Sequence, residues 1–541
     1  MQAFAALLDA LVYAPQRNAK LRIIESWLAG TADPDRGLGL AALTGELVLP
    51  HVRGAMIRAL VESRVDPLLF ALSHDYVGDL AETAALIWPA SGEAPSPLAP
   101  SLAAVVAALA AVSRDEAPAL LAGWLDVLDA SGRFALLKLA TGALRVGVSA
   151  RLAKTAVARW GGVPLADIEE VWHGLAPPYL PLFAWLEGRT PPPAPGDAPV
   201  FRPMMLAQPL DEGELAGLAA ADFAAEWKWD GIRVQLVGQG AAGAPAGAVF
   251  SRGSDEIGAA FPEIAGALSF SAVLDGELLV VRDAAVAPFN DLQQRLGRKA
   301  PSRALLARHP AHVRLYDILL EEDEDLRSLP FQARRARLEA WFARTAPALM
   351  DVSPLLPFED WADLAALRAD ARDAGREGLM LKRRDSVYVA GRPKGLWFKW
   401  KRDPLIADCV LMYAQRGSGK RSSYYSDYTF GCWRGGGDGA ELVPVGKAYS
   451  GFTDAELLEL DRWVRGHTVE RFGPVRAVEA ALVVEVAFDA VQPSQRHRSG
   501  IAMRFPRIRR IRWDKPAAEA DTVEALRALL PADPIENLSQ G

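Results

Sequence analysis

The chain has 541 residues, of which 50% are hydrophobic and 23% are charged, which is usual for a soluble globular protein. This length exceeds what one hydrophobic core normally supports, so roughly two to four domains are expected. The net charge is −7, so a nucleic-acid-binding surface would have to concentrate its positive charge locally.

Cysteine usage and hydropathy exclude several classes of protein. The only cysteines are Cys409 and Cys432, which are too few for a cysteine-rich metal cluster and do not indicate a disulfide framework. The start, Met1-Gln2-Ala3-Phe4, lacks the charged and apolar regions of a signal peptide. Charges interrupt every apolar stretch before it reaches membrane-spanning length. We therefore expect a cytoplasmic protein without membrane association.

Residues 1–195 are predicted to form an all-α domain. Apolar residues recur there at helical spacing, as at Leu121, Leu125 and Leu128. One segment combines Gly142, Arg145 and Gly147 with a serine at a predicted helix start. Glycines allow close backbone approach, and helix N-termini attract phosphate groups. The segment is therefore a candidate for a phosphate-binding surface.

A proline-rich stretch over residues 190–200 predicts a linker. From there to residue 402, strand patterns alternate with helical ones, which predicts a mixed α/β (α+β) domain over residues 200–402. Helices are expected at 330–346 and 359–375, and a Gly/Ala turn at 238–248.

Residues 403–541 are predicted to be mostly strands, with one helix near 453–465 and another in the tail, before a frayed end. About five short strands separated by Gly and Ser turns suit a small β-barrel, for which an OB-fold is the obvious candidate. The predicted strands are Cys409 to Tyr413, Tyr428 to Trp433, Leu442 to Lys447 and Leu482 to Phe488.

The segment Glu226 to Arg233 carries the most specific pattern. As a strand it would place two tryptophans on one face and Glu226, Lys228 and Asp230 on the other. By itself this could be an amphipathic strand with a solvated charged face. Further downstream, however, predicted strands carry more carboxylates, lysines and an aromatic residue: Asp275, Glu277, Tyr316, Glu377, Lys399 and Lys401.

Together these residues suit a nucleotide. Lysines bind phosphates, carboxylates bind a divalent metal or ribose hydroxyls, and an aromatic ring can stack on a base. A Walker-type phosphate loop is absent from the sequence, which excludes a P-loop enzyme.

The chain resembles the ATP-dependent DNA ligases of the covalent nucleotidyltransferase superfamily. Glu226-x-Lys228-x-Asp230-Gly231-x-Arg233 matches the nucleophile motif of that family. Arg504 to Lys515 resembles its last motif, and the helical first third is similar to the DNA-binding domain of the larger ligases. The intermediate motifs are matched in order by Arg252, Glu277, Tyr316, Glu377-Gly378 and Lys399-x-Lys401.

The resemblance implies ATP and Mg²⁺ as cofactors and nicked duplex DNA as the partner of a monomeric enzyme. Lys228 would attack ATP to form lysyl-AMP, AMP would pass to the 5′-phosphate of the nick, and the 3′-hydroxyl would displace it. A free lysine has a pKa of roughly 10.4, so attack requires either a lowered pKa or a nearby base. Burial and neighbouring cations such as Lys399 and Lys401 are expected to lower the pKa of Lys228, and Mg²⁺ would add to this effect.

The resemblance also assigns roles to individual residues. Glu226 would receive the adenine amino group and Tyr316 would stack on the ring. The remaining nucleotide contacts would come from Arg233, Arg252, Glu277, Arg392, Lys399 and Lys401, the metal ligands would be Glu277 and Glu377, and the DNA contacts would be Gly142, Arg145, Gly147, Arg504 and Arg507.

Three alternatives differ in chemistry. An RNA ligase or a capping guanylyltransferase shares the lysine motif, but capping enzymes use GTP and usually lack the helical domain. An NAD-dependent ligase carries a four-cysteine zinc module, which two cysteines cannot build. A catalytically silent nucleic-acid-binding scaffold is disfavoured because every expected catalytic position is occupied.

Overall fold

The computed structural model describes two compact units, residues 1–60 with 90–402 and residues 61–89 with 403–541. Residues 195–198 of the predicted linker and the predicted frayed end, 531–541, lie outside the described residues. Among the described helices, none is both long and apolar enough to cross a bilayer. The description covers the chain except residues 48, 50, 51, 90–99, 143, 195–198, 242, 299, 372–375, 417–424, 436–438, 450, 452, 474 and 531–541.

The first third of the chain is helical, as its apolar spacing predicts. Side-chain caps define several helix starts: the Asp129 carboxylate accepts from the Gly132 amide, and the Ser149 hydroxyl accepts from the Leu152 amide. The helices are α1 (Gln2–Tyr13), α2 (Arg17–Gly30), α3 (Asp35–Thr44), α4 (Gly54–Glu62), α5 (Pro67–Val77), α6 (Leu80–Ile87), α7 (Leu102–Ala111), α8 (Ala117–Val127), α9 (Ala130–Thr141), α10 (Ala150–Gly161), α11 (Leu165–Trp172) and α12 (Leu180–Leu186).

The middle of the chain forms the predicted mixture of strands and helices. The helix expected at 359–375 is observed at 361–370, and residues 372–375 are outside the description. The strands are β1 (Gln208–Pro209), β2 (Phe223–Trp229), β3 (Ile232–Gln239), β4 (Gly247–Ser251), β5 (Ser271–Arg282), β6 (Ala285–Val286), β7 (Ala311–Glu321), β8 (Glu324–Asp325), β9 (Met350–Val352), β10 (Leu355–Leu356), β11 (Arg376–Arg383) and β12 (Trp397–Lys401). The helices are α13 (Pro262–Ala265), α14 (Phe289–Gln293), α15 (Arg303–Arg308), α16 (Phe331–Thr345) and α17 (Trp361–Asp370).

Two sheets pack against each other in this region. One has the order β1-β12-β11-β2-β10, and the other runs β4-β3-β5-β7-β8, with β6 and β9 joined to β5 and β7. Apolar residues of both sheets, among them Ala224, Val273 and Trp397, form the core between them. Leu338 of α16 and Leu364 of α17 pack on the outer faces of the two sheets. This layering buries the alternate residues of each central strand and holds the strand ends in fixed register.

The last part of the chain is rich in strands. About five were expected, whereas nine are present among the described residues; the hairpin β16–β17 was missed because its first strand is mostly exposed and lacks apolar alternation. The strands are β13 (Leu405–Arg416), β14 (Tyr425–Arg434), β15 (Glu441–Ala448), β16 (Thr468–Phe472), β17 (Val475–Val478), β18 (Val483–Phe488), β19 (Ala490–Pro493), β20 (Ile501–Arg504) and β21 (Arg507–Arg512), with helices α18 (Asp454–Gly466) and α19 (Val523–Arg527).

The long strand β13 organises this region. It pairs with β14 on one edge, and on the other with β18 along its first half and β17 along its second half. Register shifts in the β13–β14 and β18–β21 pairs mark bulges, which bend strands. The strands therefore curve around one apolar core, which includes Leu411, Phe430, Val484 and Ile508.

Candidate active site

Lys228 lies near the end of β2, opposite Gly378 on the antiparallel strand β11. A register shift between Arg376 and Gly378 places Glu377 in a β-bulge, and bulges re-aim side chains. The Glu377 carboxylate lies 2.5 Å from Lys228 Nζ. Gly378 has φ +136°, and a Cβ there would lie 2.3 Å from the Trp400 carbonyl oxygen, so only glycine fits beside the bulge. The local backbone thus aims a carboxylate at the predicted nucleophile.

A second carboxylate, Glu277 on β5, reaches the same region. A Cβ at Gly231 would lie 2.8 Å from Glu277 Cγ and 2.5 Å from the Leu278 carbonyl oxygen, so the glycine of the nucleophile motif permits this approach. Burial raises the pKa of Glu277 to about 7, although Lys228 and Arg233 act in the opposite direction. Glu277 therefore changes its charge near neutral pH.

The pKa of Lys228 is raised, not lowered as the sequence suggested. Burial is the largest single influence and does act to lower it, as expected. The carboxylates of Glu377, Glu277 and Asp230, together with the hydrogen bond to Glu377, outweigh burial and favour the ammonium form. The prediction was wrong because the bulge that brings Glu377 to Lys228 has no signal in the sequence.

Predicted cationic side chains from three segments gather beside Lys228. Burial lowers the pKa of Lys399, and the neighbouring charges of Arg392, Lys228, Lys401 and Arg252 lower it further. Lys401 Nζ lies 3.4 Å from the Glu377 carboxylate. Such a cluster of like charges is costly unless an anion neutralises it. The structure thus brings together the cations expected to bind phosphate groups.

The carboxylates of Glu277 and Glu377 suit a hard divalent cation that keeps several other ligands. Among the described residues, no group of three or more His, Cys, Asp or Glu side chains could hold a metal by itself. Mg²⁺ commonly uses one or two carboxylates plus water and substrate phosphates. Two carboxylates are therefore a partial donor set, of the kind that Mg²⁺ completes with water and substrate phosphates.

Glu226 is held inside the protein by two cations. It is 2% exposed; Arg335 Nη1 donates to one carboxylate oxygen at 2.9 Å, and Lys382 Nζ lies 2.6 Å from the other. The structure therefore gives this carboxylate an internal pairing role. Its direct contact with adenine stays a prediction.

Arg233 is also occupied within the protein. Its guanidinium donates to Asp275 at 2.6 Å, to the Met205 carbonyl oxygen at 2.6 Å and to the Tyr388 hydroxyl at 3.2 Å. Tyr388 in turn donates to the fully buried Asp275 at 2.5 Å. This network ties β3, β5 and the segment before β12 together, and a contact between Arg233 and ribose or phosphate stays a prediction.

Tyr316 lies on β7 beside this network. Lys382 Nζ is 4.5 Å from its ring centroid, and Arg233 Cζ is 5.8 Å from it. Burial raises the pKa of its hydroxyl well above the ordinary value.

Sequence reasoning missed Lys382, although it lies only five residues beyond Glu377 on the same strand. It also missed Arg335 and Tyr388, for which the sequence offers no signal.

The glycine segment of the helical region borders a cavity of about 660 Å³. Gly142 and Gly147 have φ +68° and +66°, and Arg145 has φ +47°, a strained value for a residue with a side chain. Lys20, which the sequence did not single out, donates to the Val146 carbonyl oxygen at 2.5 Å. The cavity is lined by Pro15, Arg17, Lys20, Arg145, Gly147, Val148, Ser149 and Leu152.

The predicted DNA contacts of the C-terminal region lie on either side of the turn between β20 and β21, two strands that pair with different partners, β19 and β18. Arg504 ends β20 and Arg507 starts β21, and between them Phe505 is 61% exposed with φ +51°. Arg507 is 3.7 Å from Asp489. Further along, Lys515 Nζ lies 2.8 Å from Asp408. The turn between β20 and β21 thus carries two arginines, of which Arg507 is exposed and Arg504 is half-buried.

Comparison with known proteins gives the family. The family model described as "ATP dependent DNA ligase domain" matches residues 204–401, and the "ATP dependent DNA ligase C terminal region" matches residues 421–515. A "Probable DNA ligase" of Koribacter versatilis (strain Ellin345) is 33% identical over 97% of this chain and 95% of that protein. Another, of Anaeromyxobacter dehalogenans (strain 2CP-C), is 32% identical over 96% of this chain and 97% of that protein.

A solved structure described as Pmar-Lig_PreS3 shares the fold. It covers 94% of this chain and 99% of its own length with a TM-score of 0.57, at 16% identity. The sequence relatives and both family models agree with the expectation from the motifs. The chain belongs to the ATP-dependent DNA ligase family.

Proposed function

We propose that Lys228 is the nucleophile of this ligase and that the enzyme seals nicks in duplex DNA through a lysyl-AMP intermediate. The observation that carries the proposal is the position of Lys228 Nζ between two carboxylates and a cluster of cations. The carboxylates suit a divalent metal, and the cations suit a triphosphate.

Three steps follow for the chemistry. The neutral amine of Lys228 attacks the α-phosphorus of ATP, forming a P–N bond while the bond to pyrophosphate breaks. The 5′-phosphate of the nick then attacks the same phosphorus and releases Lys228. Finally the 3′-hydroxyl attacks the activated 5′-phosphate, which forms the phosphodiester and expels AMP.

The first step requires the Lys228 ammonium to lose a proton. The Glu377 and Glu277 carboxylates hold the pKa of that ammonium above its ordinary value, so neutralising them makes Lys228 a better nucleophile. Glu277 and Glu377 are the residues that would hold Mg²⁺, which when bound supplies positive charge that stabilises phosphoryl transfer.

The remaining residues bind and orient the nucleotide in this proposal. Lys399, Lys401, Arg392 and Arg252 neutralise phosphate groups from the cationic cluster, and Tyr316 stacks on the base. Glu226 and Arg233 act from behind this surface, because their side chains pair with other protein groups.

We further propose that residues 1–195, 200–402 and 403–541 are a DNA-binding domain, an adenylation domain and an OB-fold domain of a monomeric enzyme. Gly142, Arg145 and Gly147 would contact the DNA backbone, together with Arg17 and Lys20 of the same cavity. Arg504 and Arg507 would contact DNA from the turn between β20 and β21 of the last domain. Support for the OB-fold comes from the curved strands around one core.

The test is a denaturing gel of protein incubated with Mg²⁺ and labelled ATP, GTP or NAD, followed by nicked duplex. We expect a covalent label from ATP alone, and we expect nicked DNA to remove it with strand sealing. Lys228→Ala should lose the label entirely, whereas Lys394→Ala, a matched change of an exposed lysine, should keep it. Radiolabelled AMP still bound to the Lys228→Ala protein would sink the assignment.

A further inference from the structure

Arg376 is a half-buried arginine next to the proposed metal ligand Glu377, and the proposed chemistry does not use it. Its Cζ lies 4.0 Å from the ring centroid of Trp227 and 5.3 Å from that of Trp229. Its Nε is buried and has no hydrogen-bond partner within the described part of the chain. Because a planar guanidinium stacks well on aromatic faces, we attribute the position of this side chain to the two rings.

One of these two rings is itself held in place by further contacts. Trp229 lies opposite Arg376 in the register of β2 and β11. Its indole Nε1 donates to the hydroxyl of the buried Ser353 at 3.1 Å, and Arg314 Cζ lies 4.2 Å from its ring centroid. Arg314 in turn donates to both carboxylate oxygens of Asp351, at 2.8 and 2.7 Å. Arg376 therefore packs on an aromatic ring that has a fixed position.

The bulge in β11 needs such support on one edge. Arg376 and Gly378 pair with consecutive residues of β2, so Glu377 is the extra residue and has no partner residue there. On the other edge, the Glu377 carbonyl oxygen accepts from the Arg402 amide at 3.0 Å. The edge that faces β2 thus lacks a backbone pair at Glu377, and the stacked side chain of Arg376 supplies a contact beside it.

We propose that Arg376 is a positioning residue that holds this bulge and so directs the Glu377 carboxylate towards Lys228 and the metal. Arg376 occupies the tryptophan face of the sheet, which leaves the opposite, lysine face to Glu377. Arg376 acts through Glu377 and touches neither the nucleotide nor the metal. This inference rests on the proposed function, because it assumes that Glu377 binds Mg²⁺ during adenylation. Its expected signature is weaker Mg²⁺ binding with little change in ATP binding.

The first test measures single-turnover lysyl-AMP formation at saturating ATP while the Mg²⁺ concentration is varied. Arg376→Ala should raise the Mg²⁺ concentration for half-maximal rate about tenfold, as expected when a metal ligand loses its supporting residue. Arg376→Lys should do the same, because it keeps the charge but lacks the planar group that stacks. The apparent Kd for ATP at saturating Mg²⁺ should stay within about twofold. Arg64→Ala, which removes an arginine 5.5 Å from the Trp88 ring in the other unit, is the matched control and should change neither quantity.

The second test needs neither metal nor activity. In a crystal structure of nucleotide-free Arg376→Ala, the Glu377 carboxylate should lie more than about 4 Å from Lys228 Nζ, beyond ion-pair distance. Arg376→Lys gives the same test if the alanine variant does not fold. An unchanged separation of 2.5 Å in the variant would overturn the inference.

A double-mutant cycle tests the route of action. If Arg376 acts through Glu377, Arg376→Ala should weaken Mg²⁺ binding much less in the Glu377→Gln background than in wild type. Equal effects in both backgrounds would overturn the inference. Failure of the wild type to form lysyl-AMP would instead contradict the proposed function, whereas the crystal structure of the variant would still report on the bulge, so the two failures are distinguishable.

Discussion

Two regions of the molecule each contain an arginine–carboxylate ion pair, one buried and the other exposed to solvent. In the middle of the chain, Asp317 and Arg334 have side chains that are 0% exposed and share two hydrogen bonds of 2.9 Å. On β21, Arg509 lies 3.1 Å from Glu485 with an exposed fraction of 57%. The first pair is sealed between packed elements, and the second is in contact with solvent.

The difference in burial between the two ion pairs indicates which pair can hold a fixed geometry and which can exchange its partner for a ligand. A buried pair keeps one geometry, because losing its partner leaves an uncompensated charge in an apolar environment. An exposed pair is weak and screened by salt, so phosphate groups can replace its acidic partner at small cost. A sealed pair is therefore suited to holding its surroundings in one geometry, whereas the turn of Arg504 and Arg507 between β20 and β21 is suited to an exchangeable, salt-dependent contact with a polyanion.

The largest expected effect concerns the sealed pair. Arg334→Met should destabilise its unit by about 3–5 kcal/mol, because Asp317 would remain buried and charged. Arg509→Met, the matched change in the exposed pair, should cost about 1 kcal/mol or less. Urea denaturation of the two variants, followed by tryptophan fluorescence, measures the difference through the transition midpoints.

A second variant sharpens the same comparison. Changing both partners, Asp317→Leu with Arg334→Met, should recover much of the stability that Arg334→Met loses, since no charge is left unpaired. Equal destabilisation by Arg334→Met and Arg509→Met would show that burial does not separate the two classes of pair.

The sequence was sufficient for features that depend on local pattern. Alternation predicted β2 and β12, and apolar spacing predicted the helices of the first third and α16. The order of the motifs identified the family, and the cations near Lys399 do gather in space as that order implied. The C-terminal region was predicted less completely, because exposed strands such as β16 carry no apolar alternation.

The charge state of the site could not be predicted from the sequence. It depends on the bulge at Glu377 and on the close approach of β5 permitted by Gly231, and both are consequences of tertiary pairing. The internal partners of Glu226 and Arg233 lie more than 25 residues away along the chain. The sequence pattern therefore assigned Glu226 and Arg233 to the nucleotide. It did not show that their side chains already pair with other groups of the protein.

The next largest expected effect is a pH dependence of the apparent Mg²⁺ affinity, which comes from the buried carboxyl of Glu277. Because the pKa of Glu277 is raised to about 7, its carboxylate is mostly protonated at pH 6 and mostly ionised at pH 8. A protonated carboxyl cannot bind a metal, so the apparent Mg²⁺ affinity in lysyl-AMP formation should be about tenfold weaker at pH 6 than at pH 8. Mg²⁺ titrations of the adenylation rate at the two pH values measure it.

Two controls test whether the pH dependence of Mg²⁺ binding comes from the buried carboxyl of Glu277 and not from exposed carboxylates. Glu277→Gln should bind Mg²⁺ weakly at both pH values, which removes the difference. In the exposed region, hydrogen bonding to Arg512 lowers the pKa of Asp514 to about 2, so its charge is constant above pH 6. An unchanged Mg²⁺ affinity between pH 6 and pH 8 in the wild type would contradict the assignment of Glu277 as a metal ligand.

The smallest expected effect concerns the two arginines beside the turn between β20 and β21, and it is measured mainly through the salt dependence of DNA binding. Arg504→Ala and Arg507→Ala should each weaken binding to nicked duplex several-fold and reduce the slope of log K against log[salt] by about 0.9, the value for one lost phosphate contact. Arg337→Ala, a change of a half-buried arginine paired with Glu321 in the other unit, should leave the slope unchanged. Because both arginines are assigned to DNA in this proposal, adenylation without DNA should keep its wild-type rate in both variants. A weaker affinity with an unchanged slope would mean that this turn acts through its shape or through Phe505, and not through its charge.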